Sequence, residues 1–175
     1  MTSGPFRLYP VEQHWCSFAD YGAILSTVRR IGAKSVLEFG PGSSTLALIE
    51  GGATRVDACE DDPHWAAVAR ERIVARFPEV VRVHLFDLDD LLIPSVNGRR
   101  YDLALIDGPK RTASRPAWIE YAASLARHVL VPLELDDGGT LAGFVASLAN
   151  ALGRPYERTE TGPLAGAYGL IGPAC

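Results

Sequence analysis

The chain has 175 residues, a length suited to one domain with a substantial buried core. Apolar residues make up 47% and charged residues 22%, which excludes the highly charged, weakly hydrophobic class of disordered chains. A balance of 17 Lys+Arg against 21 Asp+Glu, net −4, gives no general electrostatic pull towards nucleic acid or an anionic membrane and favours a small-molecule substrate.

Cys16, Cys59 and Cys175 are too widely spaced for a zinc ligand set and suggest no disulfide framework, so reduced thiols in a cytoplasmic protein are expected. Residues 1–10 lack a basic region followed by an apolar stretch, so no signal peptide is expected. Nowhere does the sequence reach the roughly 18 uninterrupted apolar residues of a membrane span.

In chain order, residues 1–31 read as an N-terminal cap segment whose later part, about 17–30, is a helix. Residues 34–39 are a short apolar run stopped by Gly40-Pro41-Gly42 and predict strand one. Residues 44–50 carry Leu46, Leu48 and Ile49 and end at Gly51-Gly52, a helix with a glycine stop. Strand two is expected over 55–60. Pro63 then opens a helix, capped by Asp61 or Asp62 and reaching about Phe77, with Trp65, Val68, Ala69, Arg72 and Ile73 at helical spacing.

Strands three and four are expected over 80–86 and 101–107, with a turn at Asn97-Gly98 between them. A helix over 116–127, a strand over 128–135 and a helix over 139–152 follow. Residues 156–161 and 165–171, joined through Gly162-Pro163, predict a closing antiparallel hairpin at one edge. No repeat or domain-sized linker interrupts residues 1–175, so one domain is expected. Strands alternating with helices imply a doubly wound parallel sheet. In such sheets ligands bind outside the carboxyl ends of the strands, which directs attention to the residues that end each strand.

Strand one ends Glu38-Phe39-Gly40-Pro41-Gly42-Ser43-Ser44-Thr45. Glycines there allow a sharp turn and a close ligand, and the next helix offers free N–H groups and a positive dipole end. The same turn also has a purely steric reading. Strand two ends Cys59-Glu60-Asp61-Asp62, where an acidic side chain can accept hydrogen bonds from both ribose hydroxyls; Glu60 is the candidate. Strand three ends Leu85-Phe86-Asp87-Leu88-Asp89. Asp87 is placed to meet the exocyclic amine of an adenine, with Phe86 or Leu88 against the ring.

Taken together, Glu38-Phe-Gly-Pro-Gly, Glu60, Asp87 and Ile106-Asp107-Gly108 resemble the four successive motifs of class I S-adenosylmethionine (SAM)-dependent methyltransferases over about residues 20–150. Ser44 departs from the usual third glycine of the first motif. The resemblance implies a Rossmann-like α/β sheet of seven strands, mostly parallel, with the last one antiparallel. It also implies Gly40 and Gly42 against the methionine part of SAM and Glu60 on the ribose. The expected SAM-binding set is Glu38, Gly40, Pro41, Gly42, Ser43, Ser44, Glu60, Asp61, Asp87, Leu88 and Asp107.

Methyl transfer also needs an acceptor lone pair, with a base or cation where the acceptor is protonated. Asp107 with Asp136 or Asp137 would offer hard oxygen ligands suited to Mg²⁺. This resembles catechol O-methyltransferase and its relatives, and the metal-using O-methyltransferases of macrolide sugars are another group it is similar to. The match puts Lys110 in the position of the base; Asp137 replaces that group's Asn. As structural alternatives, Asp136-Asp137 can cap a helix and Asp107 can orient the loop after it.

Arg99, Arg100, Lys110, Arg111 and Arg115 would form a basic patch beside the site if they converge, which would suit an anionic acceptor. His64 and His84 are read as structural, whereas His14, Tyr9, Trp15 and Tyr21 are candidate lid residues. Methyl transfer to a small-molecule hydroxyl is therefore expected, with a homodimer as one way to complete the pocket. The competing readings are a non-catalytic SAM-binding module, aminopropyl transfer and NAD-dependent oxidoreduction. The incomplete Gly-x-Gly-x-x-Gly pattern, with Thr45 in last place, argues against the last.

Overall fold

A computed structural model describes residues 18–87, 90, 92–108, 115–133, 140–160 and 167–174. Helix α1 (Phe18–Ile31) precedes β1 (Ser35–Phe39), α2 (Ser43–Gly51), β2 (Arg55–Glu60), α3 (Pro63–Ala69), β3 (Val81–Leu85) and β4 (Tyr101–Ile106). Helix α4 (Arg115–Leu125), β5 (Ala126–Leu133), α5 (Thr140–Ala151), β6 (Tyr156–Glu160) and β7 (Ala167–Ile171) complete the chain. Every strand predicted from the sequence is present, within two residues at each end of those boundaries.

One seven-stranded sheet forms, in the order β3-β2-β1-β4-β5-β7-β6. The pairs among β1 to β5 are parallel, and β7 runs antiparallel to both β5 and β6. The closing hairpin is therefore at an edge as expected, with β6 outermost. Strand order reverses between β1 and β4, so the crevice opens beyond Phe39 and Ile106.

Period-two alternation sorts the strand residues into two layers. Val36, Val56, Ala58, Leu103 and Leu105 face one core with Ile24, Val28 and Leu48 from α1 and α2. Leu37, Phe39, Ala104, Ile106, Val129 and Val131 face the other, under Trp118 and Ile119 of α4 and Val145 of α5. Gly51 is inside α2 rather than beyond it: a Cβ there would sit 2.6 Å from Val28, so this glycine lets α1 and α2 close up. Gly52 alone makes the left-handed stop, donating to the Ile49 carbonyl.

Helix α3 begins as predicted, with Asp62 accepting from the N–H groups of His64 and Trp65 and Pro63 in the first turn. It then widens into a π-helical turn over Arg70–Val74, a change of winding that helical spacing alone did not signal.

On β2, Asp57 is completely buried. Its Oδ2 accepts from Arg55 Nε at 2.9 Å, Arg99 Nη1 at 3.1 Å and Tyr101 OH at 2.9 Å, while Oδ1 faces His84 Nε2 at 3.0 Å. Burial acts to raise its pKa, but bonds from His84, Arg55 and Tyr101 prevail and hold it well below the usual carboxylate range. The structural reading of His84 holds.

Candidate functional site

The turn after β1 is shaped by its glycines and tied down from below. Gly40 continues the ladder by donating to the Cys59 carbonyl at 2.9 Å, then adopts φ +83°. Across the crevice, the N–H groups of Asp107 and Gly108 both donate to the Phe39 carbonyl, at 3.1 and 2.8 Å. The two loops thereby touch backbone to backbone: a Cβ on Gly40 would lie 3.0 Å from Gly108 N, and one on Gly108 3.3 Å from Gly40 Cα. Glycine is needed on both sides of the switch point.

Glu38 lies beneath this turn with no exposed surface. Ser44 Oγ donates to its Oε1 and Thr45 Oγ1 to its Oε2, each at 2.7 Å. Thr45 Oγ1 in turn accepts from the Gly42 N–H at 3.0 Å. The serine in the third-glycine position thus has a use, because its hydroxyl anchors the first turn of α2 to the strand. That turn presents N–H groups of Ser43 and Ser44, which an isolated helix start leaves without intrahelical acceptors. Gly40, Pro41 and Gly42 are half-buried, and Ser43 is buried.

Glu60 ends β2 with 8% of its surface exposed, its Oε1 accepting the Asp62 N–H at 3.1 Å. Asp61 beside it is half-buried, and the capping task falls to Asp62 alone. Asp107 is half-buried and Asp87 exposed at the ends of β4 and β3. Leu88, Lys110, Asp136 and Asp137 lie outside the described residues, as do His14, Tyr9 and Trp15. Among the described residues no three His, Cys, Asp or Glu side chains form a group able to hold a metal ion.

Glu38 and Glu60 both feel burial and neighbouring acids. Burial pushes Glu38 up from 4.5 to about 8, against the pull of the Ser44 and Thr45 hydroxyls, and the charges of Asp107 and Glu60 push it further. Glu60 is raised to about 7, chiefly by burial, with Asp61 adding to the rise and the Asp62 N–H opposing it.

Both shifts have a consequence for stability. A carboxyl whose pKa is higher folded than unfolded holds extra protons in the native state, so stability falls as pH rises from about 4.5 to 8. Asp57 has the opposite sign: its contribution is complete above the ordinary 3.8 and is lost only as pH falls below it, so it adds no slope in that window. The melting temperature of the free protein is expected to drop between pH 5 and pH 8.5, and Glu38→Gln to flatten the drop. A wild-type melting temperature that rises over that range would contradict this electrostatic picture.

Some candidate residues lie elsewhere than expected. Of the basic patch, Arg99 and Arg100 precede β4, at the amino end of the sheet, and Arg99 is paired with Asp57. Arg115 is 5% exposed and turned inward, and Lys110 and Arg111 are outside the described residues. Tyr21 is a core residue packed with the α1 face, not a lid. Of Phe86 and Leu88, the two candidates for the adenine ring, Phe86 is 9% exposed with its ring edge-on to Phe39 and Trp118, so it packs the core, and Leu88 lies outside the described residues.

No protein-family model matches the chain, and the curated proteins contain no match to it. Solved structures do match. The Bacillus cereus O-methyltransferase in complex with SAH (S-adenosylhomocysteine) superposes with a TM-score of 0.70 at 20% identity, over 91% of this chain and 83% of its own. The SAH-bound methyltransferase PaMTH1 of Podospora anserina gives 0.71 at 18% identity, over 100% and 89%. TomG, a Streptomyces achromogenes O-methyltransferase of tomaymycin synthesis in complex with SAM, gives 0.70 at 18% identity, over 98% and 86%. The chain therefore has the α/β fold of class I SAM-dependent methyltransferases.

Proposed function

We propose that this protein binds SAM across the Gly40–Gly108 crevice and transfers its methyl group to a hydroxyl oxygen of a small molecule. The observation that carries the reading is a glycine cradle between acidic strand ends: Gly40 and Gly108 in backbone contact, with Glu38 buried beneath the turn and Glu60 and Asp107 at the ends of β2 and β4. SAM brings a sulfonium and an ammonium, cations that such acidic ends attract. The incomplete Gly-x-Gly-x-x-Gly pattern, with Thr45 in last place, disfavours NAD. The O-methyltransferases of the same fold support the choice of oxygen as acceptor.

The free N–H groups at the start of α2 suit the methionine carboxylate, and Glu60 suits the ribose hydroxyls. Transfer is an in-line displacement in which the O–CH₃ bond forms as the S–CH₃ bond breaks, leaving SAH. Positioning supplies much of the rate. The acceptor proton passes to a base, for which Lys110 is the proposed residue.

Calorimetric titration with SAM and with NAD, each with and without Mg²⁺, tests the proposal. Glu60→Ala removes a charge-assisted acceptor worth about 1.5–3 kcal/mol, so SAM binding should weaken roughly 10- to 100-fold. Because the ribose needs the carboxylate form, wild-type affinity should also rise with pH through about 7. Production of SAH with a phenolic or sugar acceptor separates an enzyme from a binding module. NAD binding in preference to SAM would overturn the proposal.

A further inference from the structure

The ladder between β4 and β5 opens at the carboxyl end of the sheet, where a buried cation replaces it. Leu105 stands opposite Leu130, so the continued register sets Ile106 against Val131. The Asp107 N–H points to Phe39 on β1, and backbone groups alternate sides along a strand. The Ile106 carbonyl therefore faces β5, where the next amide belongs to Pro132. Proline has no N–H to give, and it is unusual in a strand flanked on both sides, as β5 is by β4 and β7. The Pro132 carbonyl would in its turn take the amide of Gly108, but that N–H is spent on Phe39.

Arg115, the first residue of α4, answers both carbonyls. Its Nη2 donates to Ile106 O at 3.1 Å and to Pro132 O at 3.3 Å, from a side chain with 5% of its surface exposed. An arginine that donates to two backbone carbonyls within the core helps to fix where those carbonyls lie.

We propose that Arg115 is a positioning residue of the site: its guanidinium replaces the amide missing at Pro132, fixes where β4 ends, and so sets the path by which Asp107 enters the crevice. The inference rests on Asp107 and the adjoining Gly40–Gly108 contact serving the SAM site. It adds a residue that touches neither cofactor nor acceptor. It also accounts for the pairing of an otherwise unfavourable proline with an inward arginine on the next helix.

The experiment uses the full chain and four variants: Arg115→Met, Arg115→Lys, Pro132→Ala and the double variant Arg115→Met/Pro132→Ala. Two readouts are taken: SAM affinity by calorimetry, and the amide resonances of Asp107 and Gly108 without cofactor. Arg115→Met should weaken SAM binding at least tenfold and shift both amides. In the double variant the Pro132→Ala change restores a backbone N–H for the Ile106 carbonyl. Its affinity should recover to within about threefold of wild type, and its amides should return towards their original positions. Arg115→Lys keeps a donor and should fall between.

Rescue is the decisive outcome, since a loss caused by anything other than the unserved Ile106 carbonyl would not be repaired by a new N–H at residue 132. A folded double variant that binds as poorly as Arg115→Met overturns the proposal, as does an Arg115→Met protein that binds like wild type. If Arg115→Met does not fold, the same comparison is made between Arg115→Lys with and without Pro132→Ala: rescue supports the proposal and its absence overturns it. Failure of the SAM reading is distinct: wild type would not bind SAM, while the amide shifts and their return would still report the clamp.

Discussion

Gly40→Ala is expected to cost the protein both stability and its cofactor. At φ +83° an L side chain is strained by about 1–3 kcal/mol. Its Cβ would also lie 3.0 Å from Gly108 N and 3.3 Å from Gly108 Cα. That neighbour is backbone, and its N–H is engaged with the Phe39 carbonyl at 2.8 Å, so it retreats only by giving up a buried bond. The two costs together should reach roughly 2–4 kcal/mol, and the crevice should open where SAM is held.

Gly42→Ala is the control. Gly42 has φ −171°, an extended value open to any residue, and no atom lies within 4 Å of its would-be Cβ. That variant should keep its melting temperature while its new methyl group enters the space proposed for SAM, so affinity falls alone. Thermal unfolding and calorimetry on the pair check both statements. Equal melting temperatures for Gly40→Ala and wild type would refute the steric account of the switch point.

Asp57→Ala should damage the fold about as much and the site far less. The carboxylate joins β2 to His84 on β3, to Arg99 before β4 and to Tyr101 on β4. Removing it leaves the buried Tyr101 hydroxyl and His84 without their partner and two guanidinium groups facing a void. Breaking a buried ion pair from one side costs about 3–5 kcal/mol. The side chains of Arg55 and Arg99 are 37% and 39% exposed and can swing to water, so the lower part of that range is expected.

For a chain of this size such a loss lowers the melting temperature by roughly 10 °C. Asp57 lies three residues before Glu60, towards the amino end of β2, so SAM affinity measured below the new melting temperature should stay within a few-fold of wild type. A variant that keeps its stability would show that the cluster is not a structural tie. One that loses SAM binding while folded would show that it reaches the site.

The two variants mark the division between what short stretches of sequence reveal and what they conceal. The glycine turn, Glu60 at a strand end and the Asp62–Pro63 helix start were legible because each is a local solution to a local problem: a sharp turn, a strand terminus, four orphan N–H groups. The doubly wound parallel sheet was legible through the rule for alternating strands and helices, whereas the order of its strands came from the tertiary structure. Local signals misled where a residue's environment is set from far along the chain. Arg115 reads as part of a basic run with Lys110 and Arg111, and Phe86 reads as the aromatic at a strand end.

By itself, then, the sequence determined the elements, their order and the residues of the glycine crevice, since hydrophobic period and turn chemistry act over a few neighbours. Only the tertiary structure decided that Ser44 and Thr45 hold Glu38, and that Asp57 bonds Tyr101, 44 positions away. It alone turned Arg115 inward to the carbonyls that Pro132 leaves unserved. The physical reason is common to these cases. A buried polar group must find a partner wherever the sheet brings one, and which one it finds follows from strand order and register rather than from its neighbours in sequence.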